Sequence, residues 1–129
     1  MAELSRNVVG WFEIPVSDMQ RAVKFYQDVL GYEISYYKFG EIEMGWFPWG
    51  DLPGTPGSLV KHEQYYKPST DGTLVYFTSP SRDLNNELSK VEAAGGKVLS
   101  EKKLVSEEYG YIGLFLDTEG NRVALHSRK

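Results

Sequence analysis

Few side chains in this 129-residue sequence are equipped for chemistry. Cysteine is absent, which excludes disulfides, zinc–thiolate sites and thiol nucleophiles. The two histidines are His62 and His126, and Glu13 interrupts an otherwise apolar alternating stretch, Val8–Val16. A carboxylate beside an imidazole can work as a general acid–base pair. Two imidazoles and one carboxylate can hold a divalent cation if they converge. Serine and aspartate occur without a nucleophile-elbow pattern, so a hydrolytic triad has little support. Gly50–Gly57 is glycine-rich, yet it lacks the Lys-Ser/Thr pair of a phosphate loop and leads into a strand. Aromatic residues make up 14% of the chain and gather at Tyr36, Tyr37, Trp46, Phe47 and Trp49. Such a group suits a flat apolar ligand, core packing or a dimer seam. Arg122 is placed to meet an anion or to sit on the surface.

The elements that must carry these residues come in two similar sets. Trp11–Gly31 falls over Tyr76–Gly96 at an offset of 65, with Phe12 on Phe77, Asp18 on Asp83, Val23 on Leu88 and Gly31 on Gly96. Met44–Phe47 resembles Ile112–Phe115 at an offset of 68, and Leu59–His62 resembles Val123–His126 at 64. Within each set the pattern is strand, helix and three strands. Val8–Val16 alternates with period two. Ser17 and Gln20 have capping-box spacing. Met19, Ala22, Val23, Tyr26, Val29 and Leu30 recur at helical spacing until Gly31 stops the helix. Strands are expected over Tyr32–Phe39, Glu41–Phe47 and Ser58–Glu63, and in the second set over Thr73–Ser79, Lys97–Val105, Tyr109–Asp117 and Arg122–His126, with a helix over Asp83–Ala94. Lys67–Gly72 links the sets.

One helix covers one face of such a sheet and leaves the other bare. The expected fold is therefore α+β, with two tandem βαβββ modules, 7–66 and 73–127, forming a cup-shaped mixed sheet within a single domain, 1–129. Phe12, Ile14, Phe77, Val123 and Leu125 belong to the helix side. Trp11, Glu13, Tyr76, Thr78, Val60, His62, Arg122, Ala124 and His126 face the cup. The net charge of −4 and the lack of a basic block speak against nucleic acid. No apolar run approaches a membrane span, and Met1–Asn7 lacks the apolar stretch of a signal peptide. A cytoplasmic chain is expected.

Three segments, VGWFEIPVSDMQRAVKFYQDVLGYEI, LVYFTSPSRDLNNELSKVEAAGGKVL and GYIGLFLDTEGNRVALHS, resemble the glyoxalase, bleomycin-resistance and extradiol-dioxygenase (vicinal oxygen chelate) superfamily. The pattern is most similar to its short bacterial group related to lactoylglutathione lyase. The resemblance implies paired βαβββ modules and, in classical members, a divalent metal held by His, Glu or Gln from the first and fourth strands of each module. The aligned positions here are Trp11, Val60, Tyr76 and Ala124, so no metal and no cofactor is expected at that place. Glu13, His62 and His126 each lie two residues beyond one of these positions, on the same face and about 6.6 Å further along. They are the candidate catalytic set, as a displaced divalent-metal site or a metal-free acid–base pair. The leading expectation is a homodimeric, metal-independent protein that binds an apolar or aromatic small molecule through Trp11, Tyr76, Thr78, Trp46, Phe47 and Arg122. The alternatives are a metal-dependent lyase or isomerase and a non-catalytic interaction subunit.

Overall fold

The computed structural model describes residues 3–129, so Met1 and Ala2 of the leader reading lie outside the described residues. The first module runs β1 (Phe12–Pro15), α1 (Met19–Leu30), β2 (Ser35–Phe39), β3 (Ile42–Trp46) and β4 (Gly57–Lys61). The second runs β5 (Tyr76–Thr78), α2 (Leu84–Leu88), β6 (Lys97–Ser106), β7 (Gly110–Leu116) and β8 (Arg122–Ser127). Each module builds its own sheet, in the orders β1-β4-β3-β2 and β5-β8-β7-β6. In both, the first strand runs parallel to the fourth and the remaining pairs are antiparallel. The two tandem βαβββ units expected from the repeat are present.

Helix α1 starts at Asp18, whose carboxylate accepts from the Arg21 N–H, and not at the Ser17 capping box. It ends at Gly31, which adopts the left-handed conformation at φ 79°. Its buried stripe, Met19, Ala22, Phe25, Tyr26, Val29 and Leu30, packs on β3 and β4. Helix α2 stops at Leu88 instead of reaching Ala94; Asn85, Asn86 and Ser89 favour helix weakly, and turns carry the chain on to Gly95. Both helices meet, and a single apolar core serves both modules. Phe12, Tyr26, Phe47 and Phe77 pack ring to ring in it, and Phe25 meets Phe115 across the modules.

A polar lock accompanies this core. The Asp117–Asn121 hairpin loop of the second module lies over the β1–α1 junction of the first. Buried Asp117 accepts from the Tyr26 hydroxyl at 2.6 Å, from the backbone N–H groups of Glu119 and Asn121, and from the Asn121 side-chain amide. That amide also donates to the Pro15 carbonyl. Burial first, then the Asp117 charge, pushes the Tyr26 phenol well above the usual tyrosine value. Glu119 reaches back to accept from the Ser17 and Asp18 N–H groups and from Arg21.

Burial is the largest single influence on Glu119 and opposes its charge. Arg21, the Asp18 N–H, Thr118 and the Ser17 N–H outweigh it together and hold its carboxyl below the usual range. A carboxyl depressed in the folded state adds stability above its unfolded value, about 4.3, and loses it as pH falls through the folded value. Glu119→Gln is therefore expected to cost about 1–2 kcal/mol at neutral pH, with half-exposed Arg21 keeping the figure small. The deficit should shrink below pH 4. Urea midpoints at pH 7 and pH 3 measure both.

Candidate functional site

Positions in the two modules are matched by their hydrogen-bond registers. Gly45 and Gly113 are equivalent, because a Cβ at the first would press on Met19 and Val23 and one at the second on Leu84 and Leu88, the same places on the two helices. Gly45 lies opposite Leu59 and Gly113 opposite Leu125. The fourth strands therefore match at an offset of 66, not 64, so that Ser58 corresponds to Ala124 and Val60 to His126. Glu13 pairs with Ser58, and Tyr76 with Ala124, so the first strands match at 63. Two backbone bonds agree: Val16 N–H donates to the Val60 carbonyl and Ser79 N–H to that of His126. The helices keep the offset of 65, since Asp18 and Asp83 both cap them. The stretch Pro80–Arg82 absorbs the difference, and Arg82 sits at φ 70° in this longer loop.

This corrects two of the four positions read from the gapless repeat. By register they are Trp11, Ser58, Leu74 and Ala124, with Ser58 replacing Val60 and Leu74 replacing Tyr76. One hydroxyl among an indole and two alkyl groups is not a donor set for a divalent cation. The residues present do not fit the metal that the fold family implies.

The displaced trio is not brought together either. Among the described residues no three of His, Cys, Asp and Glu are grouped to hold a metal. Glu13 pairs with Ser58, and His62 follows four residues later, about 13 Å along the strand direction. His62 lies just past β4, where it stacks on Tyr65, accepts from the Gln64 N–H through Nδ1 and turns Nε2 towards Glu41 at 3.8 Å. His126 is on β8 beside Thr78, and its Nε2 bonds to the Tyr109 carbonyl, so that nitrogen carries the proton.

Each sheet keeps one face away from its helix. On the first sheet, Glu13, Ser58, Trp46 and Ser35 form one row across the strands and Pro15, Val60, Met44 and Tyr37 the next. The matching rows of the second sheet are Tyr76, Ala124, Leu114 and Ser100, then Thr78, His126, Ile112 and Lys103. Tyr76 and Thr78 are exposed there. Val60 and Ala124 are fully buried in spite of their open side.

The first sheet carries the aromatic group. Trp11 meets Trp46 edge-on at 5.3 Å between ring centres, and Trp46 meets Tyr37 at 5.0 Å. Glu13 ends the row, accepting from the Tyr66 hydroxyl at 2.6 Å and from Trp11 Nε1 at 3.3 Å. The bond to Glu13 and partial burial raise the Tyr66 phenol above its ordinary value. Phe47, expected among the ligand-binding residues, lies instead in the core against Phe12, Tyr26 and Phe77. Neighbours on an extended chain point to opposite sides, so Trp46 and Phe47 could not share a face. Tyr66 and Ser58 were missed: Tyr66 reads as linker, and Ser58 becomes visible only through the register.

A cavity of about 400 Å³ lies between the modules. Trp11, Glu13 and Pro15 line one wall; Arg122 and the 67–73 linker line the other. Trp11, Glu13 and Arg122 are thus brought together, while Tyr76, Thr78, His62 and His126 are not among its walls. A wider, shallow groove of about 820 Å³ runs on the helix side of the first sheet, past Gln20, Lys24, Gln27 and Glu43. Met19, Val23 and polar chains around the Lys61–Glu43 pair line it, and none of the expected site residues is among them.

The profile of the Glyoxalase/Bleomycin resistance protein/Dioxygenase superfamily matches residues 8–125, and the chain belongs to that family. It is 32% identical over 124 residues to a glyoxylase-like domain-containing protein of Didymella fabae, covering 93% of each chain. The fold is similar to that of a glyoxylase/bleomycin resistance protein/dioxygenase domain from Frankia sp. EAN1pec, with a TM-score of 0.73, 15% identity and coverage of 97% and 100%. It is also similar to TnmS3, an antibiotic binding protein from Streptomyces sp. CB03234, with a TM-score of 0.68, 19% identity and coverage of 98% and 100%. Among the described residues no helix is long and apolar enough to cross a membrane.

Proposed function

We propose that this chain captures a small, flat, largely apolar molecule, without a metal, in the groove beside Trp11 and on the open face of the first sheet. The observation that carries the reading is the Trp11–Trp46–Tyr37 group on a sheet face that no helix covers, with Glu13 at its edge. Aromatic faces supply area and Glu13 and Arg122 supply orientation, which is the usual make-up of a small-molecule site. Trp11 packs on Trp46 and not on Tyr76, so the aromatic group belongs to one sheet and is not a plug between the two. That arrangement favours binding over a purely structural interaction subunit. A metal-dependent lyase or isomerase finds no support in the donor sets described above. We further infer a homodimer. The outer strand β2 exposes Tyr36, Tyr37 and Phe39, and β6 exposes Leu99, Leu104 and Val105, two edges that a second copy would cover.

Equilibrium dialysis with naphthalene tests the capture reading. Trp11→Ala is expected to weaken binding about tenfold. Unchanged binding in this variant, or a stoichiometric divalent metal in protein purified without a histidine tag, defeats it. Light scattering gives the oligomeric state.

A further inference from the structure

Ser58 and Trp46 are register partners on β4 and β3. Ser58 is fully buried, and neither its Oγ nor the buried Trp46 Nε1 finds a hydrogen-bond partner among the described residues. Buried polar groups in folded proteins are paired in the great majority, since an orphan lowers stability. Two orphans directly opposite one another, in the row that Glu13 ends, form one feature. With strands about 4.8 Å apart, the row presents a carboxylate acceptor, a hydroxyl and an indole N–H donor in order. Trp11 lies against this row. It is 36% exposed, meets Trp46 edge-on, and is tied to Glu13 by one long bond of 3.3 Å. It also lines the 400 Å³ cavity, so it touches both that cavity and Trp46 of the orphaned pair.

We propose that Trp11 swings aside to admit a flat ligand, and that Trp46 Nε1 and Ser58 Oγ then donate to an acceptor oxygen on it. Glu13 accepts from a hydroxyl or amine at the ligand's other end, and the Trp11 ring closes over the ligand plane. This rests on the capture function proposed above and names its ligand class: a planar ring system with a carbonyl-type oxygen at one end and a hydrogen-bond donor at the other. Glu13 disfavours an anionic group at that end of the ligand.

Three probes of similar size separate the terms: 7-hydroxycoumarin at a pH that keeps its phenol neutral, coumarin, and naphthalene. By equilibrium dialysis the affinities should fall in that order, with about tenfold or more between the first and the last. Trp46→Phe keeps a ring and removes the N–H. It should weaken both coumarins about tenfold more than naphthalene, which feels only the smaller ring. Ser58→Ala should act in the same direction, while Glu13→Gln should affect 7-hydroxycoumarin alone. Without ligand, the Ser58→Ala protein should melt no lower than the parent, because its Oγ loses no partner; Trp46→Phe gives up packing on Trp11 and Tyr37, so its Tm does not read the orphaned N–H. Equal affinity of all three probes overturns this inference and leaves capture standing. A lower Tm of Ser58→Ala also overturns it, since that hydroxyl then serves the fold through a permanently buried water. Failure of all three probes to bind the parent protein sinks the capture reading itself.

Discussion

Asp117→Ala is expected to cost the fold about 3–4 kcal/mol. Four hydrogen bonds converge on that carboxylate, and none of their donors finds a substitute in alanine. The Tyr26 hydroxyl would suffer most, because it is wholly buried among apolar neighbours and would be left unpaired. Tyr26→Phe removes only that bond and should cost about 1–2 kcal/mol. In the double variant the orphaned hydroxyl is gone, so its loss should be smaller than the sum of the single losses. Urea unfolding of the three proteins reads the coupling directly. A fully additive result would show that the Tyr26–Asp117 bond does not couple the two modules.

Gly96→Ala should be nearly as damaging, at about 2–4 kcal/mol. A Cβ there would press on the Leu116 carbonyl oxygen and on the Phe25 ring, whose nearest atoms are at 2.7 and 3.0 Å. The carbonyl is fixed by the sheet and cannot yield, and Phe25 is clamped between Tyr26 and Phe115. Gly50→Ala is the matched control, since nothing lies within 4 Å of a Cβ at that position. It should stay within about 0.5 kcal/mol of the parent. Comparable losses in both variants would refute close approach as the reason for glycine at 96.

Much of this architecture was readable in advance because it depends on periodicity. The α1 stripe, its stop at Gly31, the 117–121 hairpin and the doubled βαβββ order all follow from residue spacing. What escaped depends on register. The repeat matches helix to helix without a gap, but Pro80–Arg82 lengthens one loop by two residues, and that slips Tyr76 past the place expected of it. A slip of two keeps every side chain on its face, so alternation gives no warning. Phe47 is a different kind of miss, because treating Trp46 and Phe47 as one aromatic patch ignored their opposite directions. Glu13, His62 and His126 share an open side by parity, yet sharing a side does not bring side chains within reach. His62 leaves β4 at its end to stack on Tyr65.

The duplicated halves have divided their labour. At the places where the first sheet presents glutamate, serine and tryptophan, the second presents Tyr76, Ala124 and Leu114. A chain with matching halves would own two equivalent mouths. This one offers that polar row once, in the first module, so under the capture proposed above occupancy at saturation should count chains, not modules.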